Sequence, residues 1–150
     1  MSGRGGFGLV AIVALAQACA PGESRPGGAG GAEPHLLVAS PESRIGGEAL
    51  LEGRLRIVDN CLVVSSSGPD VLPIFDSSVT LDGSGRAILD TATGERIRIG
   101  GRLRGSAAYL RDSPGAGWTD ADIARFTGAS VPAGCGGRVA RLRSIRAPGS

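Results

Sequence analysis

The groups in this chain with chemistry of their own are three cysteines, one histidine, a run of serines and a basic set made wholly of arginine. Hydrolysis by a serine needs a base held against the hydroxyl. Ser65, Ser66 and Ser67 supply hydroxyls, but His35, the only histidine, lies outside the expected folded domain, where an imidazole is solvated. With no lysine in the chain, Schiff-base chemistry and lysine-base catalysis are excluded. Paired carboxylates can do acid/base work, but Asp59, Asp76, Asp82 and Asp90 fall at expected turns, where aspartate serves the backbone. No Cys-x-x-Cys or Cys/His cluster is present to hold zinc. The acidic-glycine stretch 82–85 lacks the alternating carboxylates and closing glutamate of a calcium loop. Gly83-x-Gly85 has no Walker or dinucleotide pattern around it. No catalytic residue, cofactor site or metal site is therefore expected, and the chain is not expected to be an enzyme.

Two sets of residues remain. Cys61 and Cys135 are expected to form a disulfide closing a loop of roughly 75 residues, which in the chain-entropy account stabilises by about 4 kcal/mol. The alternative is two reduced cysteines packed as small apolar groups. Arg96, Arg98, Arg102 and Arg104 share one parity of the stretch 95–104 and form an expected contact surface. Acidic polymer or another envelope protein would suit it, although Glu52 and Glu95 dilute its charge. The bland reading of such a face is a solvated strand. A net charge of +2 is too small to indicate nucleic acid.

Strands must position these groups. Leu51, Gly53, Leu55 and Ile57 fall on one parity and Glu52, Arg54 and Arg56 on the other, the period of a strand with one buried face. Asp59-Asn60 turns the chain, and Leu62-Val63-Val64 returns it. Val71-Leu72-Pro73-Ile74-Phe75 is apolar, but Pro73 cannot donate to a ladder, which predicts an edge or bulged strand. Short strands follow at 79–81 and 86–89. The stretch 95–104 alternates most cleanly, with Ile97, Ile99, Gly101 and Leu103 inward and a bend or bulge at Gly100-Gly101. One helix is expected over 118–128. Thr119 is its N-cap, Asp122 completes a capping box, Trp118 staples onto Ile123, and Gly128 is C′. Trp118 has a second reading as an exposed binding aromatic. A final strand spans 138–145. The predicted fold is mainly β: a small closed or partly open barrel, OB-like, with one short helix before the last strand. Aromatics make up only 3% of the chain, so its core is aliphatic and modest.

The N-terminal residues read as an address. Arg4, the apolar run 7–16 and Ala16-Gln17-Ala18 have the layout of a signal peptide over residues 1–18. The apolar run is shorter than a membrane span. Ala16-Gln17-Ala18-Cys19 resembles the lipobox of bacterial lipoproteins, with Leu15 one place early, which implies lipidation of Cys19 and membrane attachment through it. Ordinary secretion is the alternative, and both readings place the domain outside the cytoplasm, where paired cysteines oxidise. Residues 19–46, rich in Gly, Pro and Ala, read as a flexible tether; within it Leu36-Leu37-Val38 is the one segment apolar enough to dock as an extra strand. Residues 47–146 form the β-domain, and 147–150 a tail.

Gly53-x-Leu55, Asn60-Cys61-Leu62, Leu72-Pro73-Ile74-Phe75, the G-x-x-I-x-I-G-G of 94–101 and Val131-Pro132-Ala133-Gly134-Cys135 together resemble small exported or lipoprotein-type domains of unknown function from high-GC bacteria. The resemblance spans 47–145. It implies a small closed β-sheet with the two cysteines bridged, and no activity. The expected function is a tethered or secreted envelope protein whose small barrel binds something. The alternatives are a structural or partner-masking lipoprotein without a ligand and, less favoured, an enzyme.

Overall fold

The computed structural model describes residues 33–42, 45, 49–113 and 115–149. In chain order its strands are β1 (Leu37–Val38), β2 (Ala49–Val58), β3 (Cys61–Ser65), β4 (Val71–Phe75), β5 (Val79–Leu81), β6 (Ala87–Asp90), β7 (Arg96–Arg98), β8 (Arg102–Arg111) and β9 (Arg138–Arg146), with helix α1 (Asp120–Thr127) before the last. Strands β4, β3, β2, β8 and β9 neighbour one another in that order, and β4 pairs with β9 to close a five-stranded barrel. Only the β4–β9 pairing of the five is parallel. Three strands run in sequence, and the fourth returns beside the first by a long connection, a Greek-key path. This is the mainly β closed barrel expected.

The β2–β3 hairpin follows from local chemistry. Leu51 and Leu55 are buried, while Glu52, Arg54 and Arg56 are exposed. Asp59 and Asn60 both take positive φ (48° and 64°), as a two-residue turn matched to strand twist requires. Ile57, expected inside, is 43% exposed. The pairing of β2 with β8 ends at Arg54 opposite Arg102, so the tip of the hairpin runs on past the barrel wall with β3 alone.

The edge position expected for Val71–Phe75 is corrected. Every residue of β4 is buried, and the strand has neighbours along both edges. Val71 pairs with Val64 of β3, whereas Ile74 and Phe75 pair with β1. The Phe75 carbonyl accepts from the Ala39 N–H at 2.8 Å. By strand alternation Val71, Pro73 and Phe75 turn their polar groups to this same edge. Pro73 therefore sits where the neighbour changes from β3 to β1, and no donor is needed there.

That geometry also corrects the tether. Its expected extent, residues 19–46, is too long, because Leu37 and Ala39 are buried and β1 is part of the sheet. His35 bridges Cys61 through backbone hydrogen bonds with Asn60 and Leu62. The stretch 35–39 thus links β3 and β4 where those two strands pair only once. Arg146 belongs to β9, and the Ala147 N–H donates to Glu95 Oε1 at 2.7 Å, so the expected tail at 147 is fastened at its start.

The stretch 95–104 is not one strand. Its first part is β7, in a three-stranded sheet with β5 and β6; its second part is the start of β8. The bend lies at Gly100, with φ of 87°, as expected. Val79, Ile88 and Ile97 of the small sheet share the barrel core with Leu55, Phe75, Leu103 and Leu142.

Asp82 sets the tight turn of that small sheet. Its Oδ1 accepts from Ser84 Oγ and from the Arg86 and Ala87 N–H groups, and Arg96 bonds Oδ2. The Ser84 hydroxyl and the Arg96 guanidinium hold the carboxyl far below its ordinary 3.8. A carboxyl depressed in the fold adds stability that is fully present above its unfolded pKa and is lost as pH falls through the lowered folded value. Asp82→Asn should therefore flatten the acid limb of the stability–pH curve, read by urea melts from neutral pH downward. An unchanged acid limb would show that the turn does not depend on the charge.

Helix α1 forms as its sequence directs. Thr119 Oγ1 accepts from the Asp122 N–H, and Asp122 Oδ2 accepts from the Thr119 N–H at 2.9 Å. Gly128 is left-handed (φ 72°) and donates to the Ala124 carbonyl. Trp118, expected to staple onto Ile123, meets Phe126 edge-on with ring centroids 5.1 Å apart. Trp118, Ile123 and Phe126 all join a second apolar cluster that includes Cys61, Cys135, Leu37 and Val139. Among the described residues no helix is long and apolar enough to cross a membrane.

Candidate functional site

The barrel wall formed by β2, β8 and β9 carries the concentrated charge. Residues of even number in β2 and in the start of β8 face outward, since their neighbours Leu51, Leu55 and Leu103 fill the core. Arg54 stands directly opposite Arg102, Glu52 opposite Arg104, and Arg104 opposite Arg146 on the far side. Arg143 lies opposite Ser106, beyond a bulge. Arg54, Arg56, Arg102, Arg104, Arg143 and Arg146 thus share one outer wall, to whose described strand residues Glu52 adds one carboxylate; Glu95 stands at its edge, lining a cleft with Arg146.

Internal partners neutralise only part of this wall. Arg102 Nη2 is 2.9 Å from Glu52 Oε1. Arg143 Nε is 3.5 Å from Asp76 Oδ2. Arg54 Nη1 donates to the Gly100 carbonyl at 2.5 Å, pinning the bend to β2. Among the described residues, Arg56, Arg104 and Arg146 form no ion pair. Like charges directly opposed across strands are destabilising, and this wall holds two such pairs, Arg54/Arg102 and Arg104/Arg146.

The expected contact residues divide between two sheets. Arg96 and Arg98 belong to β7, Arg102 and Arg104 to β8. The bend at Gly100 nevertheless brings Arg96, Arg98 and Arg102 to one shallow cleft of about 380 Å³, floored by Ile97 and Gly101. Arg96 is engaged there with Asp82. Arg104 does not line it. On its other side Arg102 borders a second cleft of about 440 Å³, shared with Glu52, Gly53, Arg54 and the serines 65–67. Sequence reasoning saw Arg54 and Arg56 as the polar parity of a strand but could not join them to β8 and β9. Arg143 and Arg146 carried no such signal, because a bulge with Ser144 at φ 51° interrupts their alternation.

Cys61 and Cys135 are bonded, with Cα atoms 5.7 Å apart, within the ordinary range for a disulfide. The bond joins the first residue of β3 to the loop that leads into β9. Cys19 lies outside the described residues. His35 bridges Cys61 at one end of β3, whereas Ser65 is at the other, roughly 13 Å away at strand rise. Among the described residues no group of three His, Cys, Asp or Glu side chains is placed to hold a metal ion. No protein-family model, no curated protein and no solved structure matches this chain.

Proposed function

We propose that this chain is an exported, membrane-tethered binding protein whose barrel holds an acidic polymer of the cell envelope against the β2–β8–β9 wall. The observation that carries the reading is the opposed arginine pairs, Arg54/Arg102 and Arg104/Arg146. They cost folding stability and fall where a polyanion would neutralise them. The guanidinium suits such contacts because it offers a planar fork to carboxylate or phosphate. Export and tethering rest on the signal-like residues 1–18 and the lipobox-like Cys19, which the Cys61–Cys135 bond leaves as the odd cysteine. Mass spectrometry of the mature protein is expected to show cleavage before Cys19 and an acylated Cys19. A free thiol there would replace tethering by plain secretion.

Binding is tested by retention on immobilised acidic polymers across a salt gradient. The parent chain should be retained at low salt and released as salt rises. Arg104→Gln with Arg146→Gln should elute at lower salt, and its stability should stay level or rise by up to about 1 kcal/mol. Unchanged retention of that variant, or no retention of the parent on any polyanion, would defeat the reading. Recovery of one stoichiometric protein from solubilised envelope, with no polymer, would instead favour the partner-masking role.

A further inference from the structure

We infer that the cleft between the serine run and the Arg54/Arg102 pair is the seat of one sugar-acid unit, a ring bearing a carboxylate and free hydroxyls. This rests on the acidic-polymer reading and specifies which polymer. The cleft, about 440 Å³, falls within the size range of small-ligand sites. Gly53 makes it: a Cβ there would stand 2.5 Å from the Ser65 carbonyl oxygen and 2.7 Å from Val64 Cγ1. Only glycine lets the end of β3 lie so close to β2, and that approach brings Ser65, Ser66 and Ser67 beside the two guanidiniums.

The donors and acceptors match a hydroxylated monoacid. Each guanidinium has five N–H donors; the hydrogen bonds from Arg54 to Gly100 and from Arg102 to Glu52 engage one nitrogen of each. The remaining donors can grip a carboxylate in the two-point manner of such pairs. Glu52 accepts from ring hydroxyls, and the serines both donate and accept. Ser65 Oγ is buried with no hydrogen-bond partner among the described residues, and a turn of its side chain toward the cleft would offer a ligand a donor that the fold does not use. Ser66 is only weakly engaged, accepting from the Gly68 N–H at 3.4 Å.

The same groups argue against two other anions. A phosphate monoester carries up to two charges and would press them against Glu52; its ionised oxygens accept from the serine hydroxyls but offer Glu52 no donor, as a ring hydroxyl does. Insertion into a bilayer boundary needs apolar groups, and none of the cleft's side chains is apolar; attraction to anionic headgroups by charge alone is what the vesicle titration below tests.

Oligogalacturonate, its neutral galactose counterpart, polyphosphate and phosphatidylglycerol vesicles, each titrated into the isotope-labelled mature chain, decide the matter. Oligogalacturonate should move the amide resonances of Gly53, Ser66 and Ser67, and the neutral oligomer should not. Ser66→Ala with Ser67→Ala should weaken oligogalacturonate about tenfold, as the loss of one or two hydrogen bonds does, and weaken polyphosphate less, since polyphosphate uses the serines only as donors. Equal loss for both polyanions, equal binding of the neutral oligomer, or the same amide shifts from polyphosphate or vesicles would overturn the inference while leaving a general polyanion-binding wall. Should no polyanion bind, the wall reading and the inference fall together. Should the serine variant fail to fold, the amide map of the parent decides alone.

Discussion

Asp76→Ala is expected to lower stability by about 3 kcal/mol, the scale of breaking a buried ion pair by removing one partner. Arg141 lies on β9 and is only 5% exposed. Its Nη2 is 2.8 Å from Asp76 Oδ1, its Nη1 donates to the Ile45 carbonyl, and its guanidinium stands 5.8 Å from the Phe126 ring. Asp76 directly follows β4, and its other oxygen faces Arg143. One carboxylate therefore fastens two arginines of β9 to the end of β4, along the parallel pairing that closes the barrel. Without it a buried cation loses its carboxylate partner. Urea unfolding measures the loss. A second variant separates charge from packing: adding Arg141→Met to Asp76→Ala should recover much of the stability, since an apolar side chain of similar volume replaces a buried cation that has lost its carboxylate. A loss within about 0.5 kcal/mol, the range of ordinary surface changes, would show that β4 and β9 hold without this clamp.

The clamp shows where sequence reading runs out. Asp76 looked like a turn residue, and its carbonyl does accept from the Val79 N–H. Nothing in its neighbourhood along the chain points to Arg141, which is 65 residues away. What could be read in advance was chemistry confined to a few consecutive residues: the positive-φ pair Asp59-Asn60, the Thr119–Asp122 capping box, the left-handed Gly128 and the bend at Gly100. What could not be read depends on which strands are neighbours. Pro73 argued for an edge as long as one edge was assumed to have one partner along its length. Leu37 and Ala39 sat among tether-like residues, and only the opening between β3 and β4 gives them a place to be buried. The arginine wall is the same case. Its alternation was visible in β2 and β8, but the opposed pairs exist only because β8 lies between β2 and β9. The serine cleft needed one more fact, the close approach at Gly53, which looks in sequence like any inward position of an alternating strand.

Breaking the Cys61–Cys135 bond is the other change with a large expected effect. The residues are 74 apart in sequence, and a loop of that length gives about 4 kcal/mol in the chain-entropy account, within the usual 2–5 kcal/mol cost of losing a native disulfide. The structure adds where the loss would be felt. Barrel interior and disulfide belong to different apolar clusters: Leu55, Phe75 and Leu103 fill the first, while Cys61 and Cys135 sit in the second with Leu37, Leu110, Ile123 and Val139. That second cluster holds β1, α1 and the loop 129–137 against the outside of the barrel. Polar ties besides the bond also reach this layer: β1 pairs with β4, the Trp118 N–H donates to the Leu110 carbonyl at 3.0 Å, and Arg111 meets Asp120 at 2.5 Å and, through Nε, the Gly137 carbonyl at 2.9 Å. The Cys135 loop has few backbone hydrogen bonds of its own, such as Cys135 N–H to the Pro132 carbonyl. Cys61→Ser with Cys135→Ser should thus lose about 2 to 5 kcal/mol overall, with amide exchange rising first in 129–137 and α1 and only later in β2, β8 and β9. Cys61→Ala with Cys135→Ala tests whether buried hydroxyls add to the loss. A reductant should bring the parent down to the alanine variant and leave that variant unmoved. If reduced and oxidised parent melt at the same temperature, the outer layer is held by packing alone, and the bond contributes no stability.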